Sequence, residues 1–349
     1  MIDDPLVIVG LGANTAVGRN VLASAAAVRA RISGFSEHPF ATDSEAVPLR
    51  VAAAPWIDMS VPCADRLPQL LFPAIDEALL PLRNIARPPR LALALAAPSR
   101  RPGLSDDAEG LLRLGLAQHY QNRFPEIAVF PAGHAAGALA LDAAQKRLSR
   151  DDRTAVVVAG VDSYLDEETF EWLEENDQLH GAGPLNNAWG FIPGEAAGAL
   201  LLSRESVALA MGMQPMARLI GLGLGREENR IKTDSVCIGQ GLTQAFRAAL
   251  GSLPSHGRVS DVYCDLNGEP YRADEYGFAC LRTKESFESA AEFVAPADSW
   301  GDVSAASIPL LVALAIIGAA KSYVRGAYAF VWASSESGER GALLLHTGA

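Results

Sequence analysis

The stretch Ile127-Ala-Val-Phe-Pro-Ala-Gly-His134-Ala-Ala-Gly-Ala-Leu-Ala-Leu-Asp142 runs from an apolar segment through small residues into an Ala-rich segment. This order is typical of a strand, a sharp turn and a helix. His134 stands in the predicted turn, and its identity bears directly on the chemistry that this unit can support.

Strands and helices are predicted to alternate on both sides of this unit. The strands are predicted at 6–10, 91–97, 154–159, 198–202, 217–222, 259–266, 327–333 and 342–346, and the helices up to residue 30 and at 66–82, 241–250, 274–289 and 303–319. A similar order recurs after Ser203. We therefore predict an α/β fold with largely parallel sheets, built from two pseudo-duplicated halves, 1–203 and 204–349, that share one interface.

The composition argues against several classes of function. With 349 residues, of which 49% are hydrophobic, the chain is long enough for two units that each have a core. Its net charge of −12 and the lack of a basic stripe argue against binding to nucleic acid or to an anionic membrane. The four cysteines form neither a CxxC pair nor a Cys/His cluster, so we expect no structural zinc, no disulfide framework and no cofactor.

The most apolar window, 303–319, is borderline in length for a membrane span and contains Ser304, Ser307 and Pro309. A helix buried on all sides within an α/β core is the favoured interpretation. The N-terminal Met-Ile-Asp-Asp-Pro is acidic where a signal peptide is basic, so a cytoplasmic location is expected.

Six segments, in the same order, resemble the β-ketoacyl-acyl carrier protein synthases of the thiolase superfamily. The unit around His134 resembles their nucleophile elbow, T-A-C-S/T-S-G before a helix, and Trp189-Gly-Phe-Ile-Pro-Gly-Glu-Ala-Ala-Gly198 is similar to D-G-F-V-x-G-E-G-A-G. The other four segments are 7–18, 27–34, 157–162 and 217–223. The resemblance implies a thiolase-like, five-layered αβαβα fold and a homodimer.

The same resemblance implies that the catalytic positions have changed. The family uses a Cys nucleophile and two histidines; His134 falls at the Cys, Asn267 at the first histidine and Asp302, across a small gap, at the second. The thiolate carries the acyl group, and the imidazoles bind the thioester oxygen as enolate charge develops. A carboxylate at Asp302 would repel that charge. Condensation and decarboxylation are therefore both predicted to be lost, with no intact catalytic residue.

Other interpretations of these residues remain open. His134 is either a reactive residue of a new enzyme or, as we favour, a half-buried side chain that fills the former thiol pocket. A histidine with Asp265, Glu269 and Asp302 would suit a metal, although Asp-rich turns are usually solvated or capping. The acidic run 166–177 is either a solvated helix or a partner-binding face. The spacing of Gly10, Gly12 and Gly18 does not fit a dinucleotide loop.

The function predicted first is that of a catalytically degenerate accessory or adaptor protein. The resemblance connects such proteins, at family level, with bacterial type VI secretion effector modules. The alternatives are an acyl-thioester enzyme, either an acyltransferase or a hydrolase, and a non-condensing partner subunit of a fatty acid or polyketide synthase. The expected partner is thus a secretion effector or adaptor, or an acyl carrier protein.

Overall fold

Ten strands form one main sheet in the computed structural model, which describes residues 4–121, 123–151, 154–230, 233 and 235–348. Two further strands, β2 and β3, pair as a separate sheet. The strands are β1 (Leu6–Thr15), β2 (Ser36–Thr42), β3 (Pro48–Val51), β4 (Arg90–Ala97), β5 (Glu126–Pro131), β6 (Thr154–Ser163), β7 (Glu195–Arg204), β8 (Ala217–Arg226), β9 (Asp261–Cys264), β10 (Phe293–Val294), β11 (Tyr328–Ser334) and β12 (Glu339–His346). The α-helices are α1 (Val21–Arg29), α2 (Cys63–Ala78), α3 (Ala108–Tyr120), α4 (Ala136–Leu148), α5 (Glu167–Glu175), α6 (Glu205–Ala210), α7 (Gln240–Leu250), α8 (Pro270–Thr283), α9 (Ala297–Trp300) and α10 (Ser307–Ala320).

The main sheet is built from two series of five strands with the same topology. The strand order is β10-β9-β11-β12-β8-β1-β7-β6-β4-β5. Read outward from its centre, β8-β12-β11-β9-β10 repeats β1-β7-β6-β4-β5, and corresponding pairs run in the same relative direction. A short antiparallel ladder from Leu6↔Leu219 to Ile8↔Ala217 joins β1 to β8. The order that recurs in the sequence is therefore a repeat of topology.

The prediction of largely parallel sheets is wrong. Among the described strands, five of the nine pairings in the main sheet are antiparallel. Strands buried on both faces have continuous apolar runs whichever way they run, so their sequences carry no sign of direction. The antiparallel pairs include β11 and β12, which are joined by the tight turn 335–338.

Helices cover both faces of each strand series and produce five layers. Helix α2 packs on the outer face of β1, β6 and β7, and α7 packs on the outer face of β8 and β12. Helices α4 and α10 lie between the two series: α4 contacts β4, β6 and β12, and α10 contacts β7, β9 and β11. The predicted αβαβα layering is thus confirmed. It brings the N-terminal ends of the two central helices together.

Glycine pairs in the first strand of each series let a helix approach closely. A Cβ atom at Gly12 would lie 1.9 Å from a backbone oxygen of α2, and one at Gly223 would lie 1.9 Å from a backbone oxygen of α7. A Cβ atom at Gly10 would lie 2.1 Å from a backbone oxygen of α2, and one at Gly221 would lie 2.2 Å from a backbone oxygen of α7. Only glycine fits at such positions. Gly10 and Gly12 therefore serve helix packing, in agreement with the expectation that they are not a dinucleotide loop.

Helix α10 is the apolar segment that the sequence places in a buried core. Residues Ser307 to Gly318 are all buried, between the two strand series. In the part of the chain that the structure describes, no helix has the length and apolar character needed to cross a membrane.

We propose that the halves divide near Ser203, as 1–203 and 204–349. Strand β7 ends at Arg204, and α6 then leads to β8. Residues 1–3, which carry much of the expectation of a cytoplasmic location, lie outside the described residues, as does residue 349.

Candidate functional site

A turn between β5 and α4 presents His134. Gly133 has a φ of +63°, and residues Gly133–Ala135 form a short 3-10 turn before α4 begins. The hydroxyl of Ser335 braces this turn, because it accepts a hydrogen bond from the Ala135 N–H at 2.8 Å and donates to the Ala132 carbonyl at 2.5 Å. The predicted strand–turn–helix unit is present, and it holds His134 at 5% exposure.

The structure brings His134, Asn267 and Asp302 together, although they lie far apart in the sequence. His134 Nε2 is 2.8 Å from Asp302 Oδ1 and 2.9 Å from Oδ2. Asn267 Nδ2 donates to Asp302 Oδ2 at 2.7 Å. The backbone N–H of Ser304 donates to Asp302 Oδ1 at 2.9 Å. The carboxylate of Asp302 is therefore the centre of the cluster, and every one of its neighbours here is a donor.

Arg272, on α8, is the member of the site that sequence reasoning missed. Its Nη2 lies 3.3 Å from His134 Nε2, and its Nη1 donates to Asp265 Oδ2 at 3.0 Å. Its Nε donates to Glu269 Oε2 at 3.2 Å. The available signal was Pro270, which begins α8 four residues earlier than predicted and places Arg272 in its first turn.

The charges of the cluster favour an ion pair between His134 and Asp302. Burial disfavours a charge on His134, but the Asp302 carboxylate outweighs burial and the nearby Arg272, so the pKa of His134 is raised. Burial by itself would raise the pKa of Asp302, but His134, Arg272 and Asn267 hold that pKa well below its usual range. Burial raises the pKa of Asp265. The contacts and the directions of these pKa shifts therefore favour an imidazolium beside a carboxylate.

The carboxylates near His134 surround an arginine. Asp265 and Glu269 are both engaged by Arg272, while Glu269 Oε1 also accepts a hydrogen bond from Gln178 at 3.0 Å. The metal interpretation of these carboxylates is therefore disfavoured, since a guanidinium already supplies the positive charge that a cation would bring.

Two cavities lined by described residues of the cluster are of water size. One, of about 30 Å³, is lined by His134, Arg101, Tyr164 and Glu336 among others. The other, of about 20 Å³, is lined by Asp265, Asn267 and Asp302 among others. A buried water needs roughly 10–15 Å³, so each cavity suits one or two waters and is far too small for an acyl chain.

Two of the segments that resemble the synthases, 157–162 and 189–198, each place a buried acid near the site. Asp162 Oδ1 is 2.6 Å from Arg101 Nη2, and Glu195 forms a two-point contact with Arg66 through bonds of 2.7 Å and 2.6 Å. All four side chains are at least nine-tenths buried. Because each buried acid has a guanidinium partner, these residues stabilise the framework.

The acidic run 166–177 forms α5 and the ends that flank it. Of the three residues that gave the run its apolar face, Phe170 and Leu173 are 4% and 1% exposed and belong to a core cluster, and Trp172 is partly buried against that cluster. The burial of Phe170 and Leu173 excludes them from a partner-binding face. The glutamates of α5 are the part that faces solvent, as expected of a solvated helix.

Comparison with known proteins agrees with this geometry. Residues 123–208, which include the His134 turn, match the family model described as Beta-ketoacyl synthase, N-terminal domain. No curated protein shows a significant match to the chain.

Solved structures extend the likeness to nearly the whole chain. A chain of AntDE:AntF, described as a type II PKS acyl-carrier protein in complex with its ketosynthase bound to the hexaketide, has a TM-score of 0.80 at 14% identity, with 99% of each chain covered. The ishigamide ketosynthase/chain length factor has a TM-score of 0.70 at 20% identity, and a β-ketoacyl synthase from Burkholderia phymatum STM815 has 0.71 at 14%; each comparison covers 99% of this chain and 100% of the other. The chain therefore has the fold of the β-ketoacyl synthases.

Proposed function

We propose that this protein is a non-condensing, ketosynthase-like accessory or adaptor protein that acts through protein partners. The observation that carries the proposal is the buried His134–Asp302 pair, which Arg272 adjoins, and the two cavities lined by residues of this cluster are of water size. In the sequence resemblance, His134, Asn267 and Asp302 fall at the positions where the synthases keep their Cys and two histidines, and none of the three can hold an acyl thioester.

The electrostatics of the cluster oppose the chemistry of a synthase. An imidazolium has no free electron pair on its protonated nitrogens, so His134 in this state serves neither as a nucleophile nor as a base. Asp302 presents a negative charge where enolate charge would develop. Losing a single oxyanion donor costs about 3 kcal/mol, roughly a hundredfold in rate, and here a donor gives way to a repelling charge.

The protein is expected to form a homodimer through the edge of its sheet. Among the described strands, β5 pairs only with β4, so its outer edge is free for a second copy. The guanidinium of Arg113 donates to the Ile127 carbonyl of this strand at 2.7 Å, which limits the contact to part of the edge. Light scattering should give twice the chain mass of 36.8 kDa. Ala128→Arg, at an exposed position of β5, should shift the mass towards one chain.

A non-condensing subunit of a synthase is the second candidate. The likeness to the ishigamide ketosynthase/chain length factor favours it, because that protein shares the fold over the whole chain. An acyl carrier protein would then be the partner, whereas a secretion effector or adaptor of a type VI system would be the partner of an adaptor. Co-purification with an acyl carrier protein supports the subunit, and co-purification with a secretion effector supports the adaptor.

The alternative of an acyl-thioester enzyme is tested by turnover. The purified protein is incubated with malonyl-acyl carrier protein, and release of carbon dioxide and of the free thiol is followed. We expect neither product. Turnover that disappears in His134→Ala or Asp302→Ala would make the protein an enzyme and contradict the proposal. Turnover that survives both changes would come from a contaminating enzyme.

A further inference from the structure

A second cluster of buried acids lies in the C-terminal half, and it includes a cysteine. Glu227 follows β8, Cys237 lies in the loop before α7, and Glu275 lies on α8. One ligand atom from each of the three side chains lies within 4.8 Å of the other two. The two glutamates are 2% and 0% exposed, and Cys237 is half-buried.

The hydrogen bonds of this cluster leave one acceptor unused. Glu275 Oε1 accepts from Arg340 Nε at 2.6 Å, but Glu275 Oε2 is buried without a hydrogen-bond partner. Glu227 Oε2 accepts from the backbone N–H of Gly241 at 2.9 Å, at the start of α7. Of the two buried carboxylates, Glu275 thus bonds to a guanidinium, whereas the hydrogen bonds found for Glu227 come from the backbone N–H groups of Asn229 and Gly241. A buried carboxylate oxygen without a donor is costly, and a bound cation would remove that cost.

From this arrangement we propose that Glu227, Cys237 and Glu275 bind a Zn²⁺ ion. Two carboxylates and a thiolate suit zinc, which takes oxygen and sulfur ligands in a tetrahedral arrangement. Bonds of about 2.0–2.3 Å place tetrahedral ligand atoms roughly 3.5 Å apart. The cluster needs to contract by about an ångström, and the half-buried Cys237 provides that movement; water completes the fourth position.

The end of the Cys237 loop that adjoins α7 is fixed at residues 238 and 239, next to the cysteine that has to move. Arg282 donates to the Ile238 carbonyl at 2.6 Å, and Gly239 has a φ of +65° that starts α7. The carbonyl of Ser335, the residue that braces the His134 turn, accepts from Arg340 Nη1 at 2.6 Å. Arg340 and Ser335 therefore connect Glu275, a proposed zinc ligand, to the His134 turn. The spacing of the cysteines in the sequence does not reveal this cluster, because its members are 48 positions apart at the extremes and only the fold assembles them.

The proposal is tested on the full-length protein after its metals have been removed with a chelator. Titration with Zn²⁺, in competition with a chromophoric zinc indicator, should show one tight site per chain. Cys237→Ser should weaken that site by about 100-fold or more, because even residues beyond the ligands contribute about 10- to 100-fold. Cys280→Ser is the matched control, since Cys280 is also half-buried but lies outside the cluster.

Co²⁺ gives a spectroscopic test of whether the Cys237 thiolate is a ligand of the bound metal. Co²⁺ bound to a thiolate has a ligand-to-metal charge-transfer absorption, which should be present in the wild type and in Cys280→Ser and absent in Cys237→Ser. Cys237→Ser is the deciding variant, because changing Glu275 leaves Arg340 unpaired and endangers folding. The absence of a tight Zn²⁺ site, or a site that Cys237→Ser leaves unchanged, would overturn the proposal.

Discussion

The two strand series share one framework and differ in the side chains that they bring to their meeting point. Gly12 of β1 lies against α2 as Gly223 of β8 lies against α7. Each central helix is preceded by a 3-10 turn whose first residue has a positive φ, +63° at Gly133 and +39° at Ser304. The backbone is therefore repeated down to the turns that open α4 and α10.

The side chains at these two turns are not repeated. The first series contributes the imidazole of His134, and the second contributes the carboxylate of Asp302 with the guanidinium of Arg272. The ion pair thus joins the two halves. The difference teaches that a repeated backbone can bring unlike side chains to its two turns, which here pair with each other across the two strand series.

Replacing Asp302 should remove the ion pair between the two strand series and cause the largest loss of stability. Asp302→Ala leaves His134 and Arg272 buried side by side, and we expect a loss of about 3–5 kcal/mol in the free energy of unfolding. Denaturant melts of the two proteins measure it. A loss below about 1 kcal/mol, the range of exposed ion pairs, would show that the pair does not hold the halves together.

The framework could be predicted from the sequence, whereas the charge network could not. Apolar runs and the small-residue turn before His134 are local signals that predicted the alternation of strands and helices, whereas the five layers were predicted from the resemblance to the synthases. Arg272 carries no such signal, because its burial depends on α8 packing against turns from distant parts of the chain. The alignment of Asn267 and Asp302 located those positions, but it did not reveal that His134 and Asp302 would pair.

Substitutions at the glycines of β1 and β8 test whether close helix packing contributes equally to stability in the two strand series. Gly12→Ala and Gly223→Ala each force a methyl group against a helix backbone, and each should cost about 1–3 kcal/mol, as overpacking does. Thermal melts should show similar losses for both. Gly277→Ala is the control, because nothing lies within 4 Å of its Cβ position in α8, and there alanine should stabilise by about 0.5–1 kcal/mol. A large loss at only one strand would break the comparison.

The link between the halves should depend on pH. The pKa of His134 is raised on folding, so its contribution is complete below the unfolded value of about 6.5 and is lost as the pH rises through the folded value. The pKa of Asp302 is lowered, so its contribution is complete above about 3.9 and is lost as the pH falls through the lower folded value. The difference in melting temperature between wild type and His134→Gln should therefore be largest between these limits. A constant difference would argue against the ion pair.

An ion pair on the surface of the same central unit should contribute least. Asp142 and Lys146 lie one turn apart on α4. Lys146 Nζ is 2.6 Å from Asp142 Oδ2, and the side chains of Asp142 and Lys146 are 28% and 69% exposed. Asp142→Ala should change the free energy of unfolding by about 0.5 kcal/mol or less, since solvent screens such pairs. A change similar to that of Asp302→Ala would mean that burial does not distinguish the two pairs.

The protonation state of His134 tests the central claim most directly, because His134 is a structural cation and cannot serve as a base while its imidazole stays charged. Labelled histidine allows the ring to be followed by NMR as a function of pH, and His134→Gln assigns its signal among the 6 histidines. We predict that His134 remains an imidazolium at pH values above the ordinary histidine pKa of about 6.5, and that Asp302→Asn removes this protection. A His134 that is neutral at pH 6 in the wild type would contradict the account and restore the case for a catalytic base.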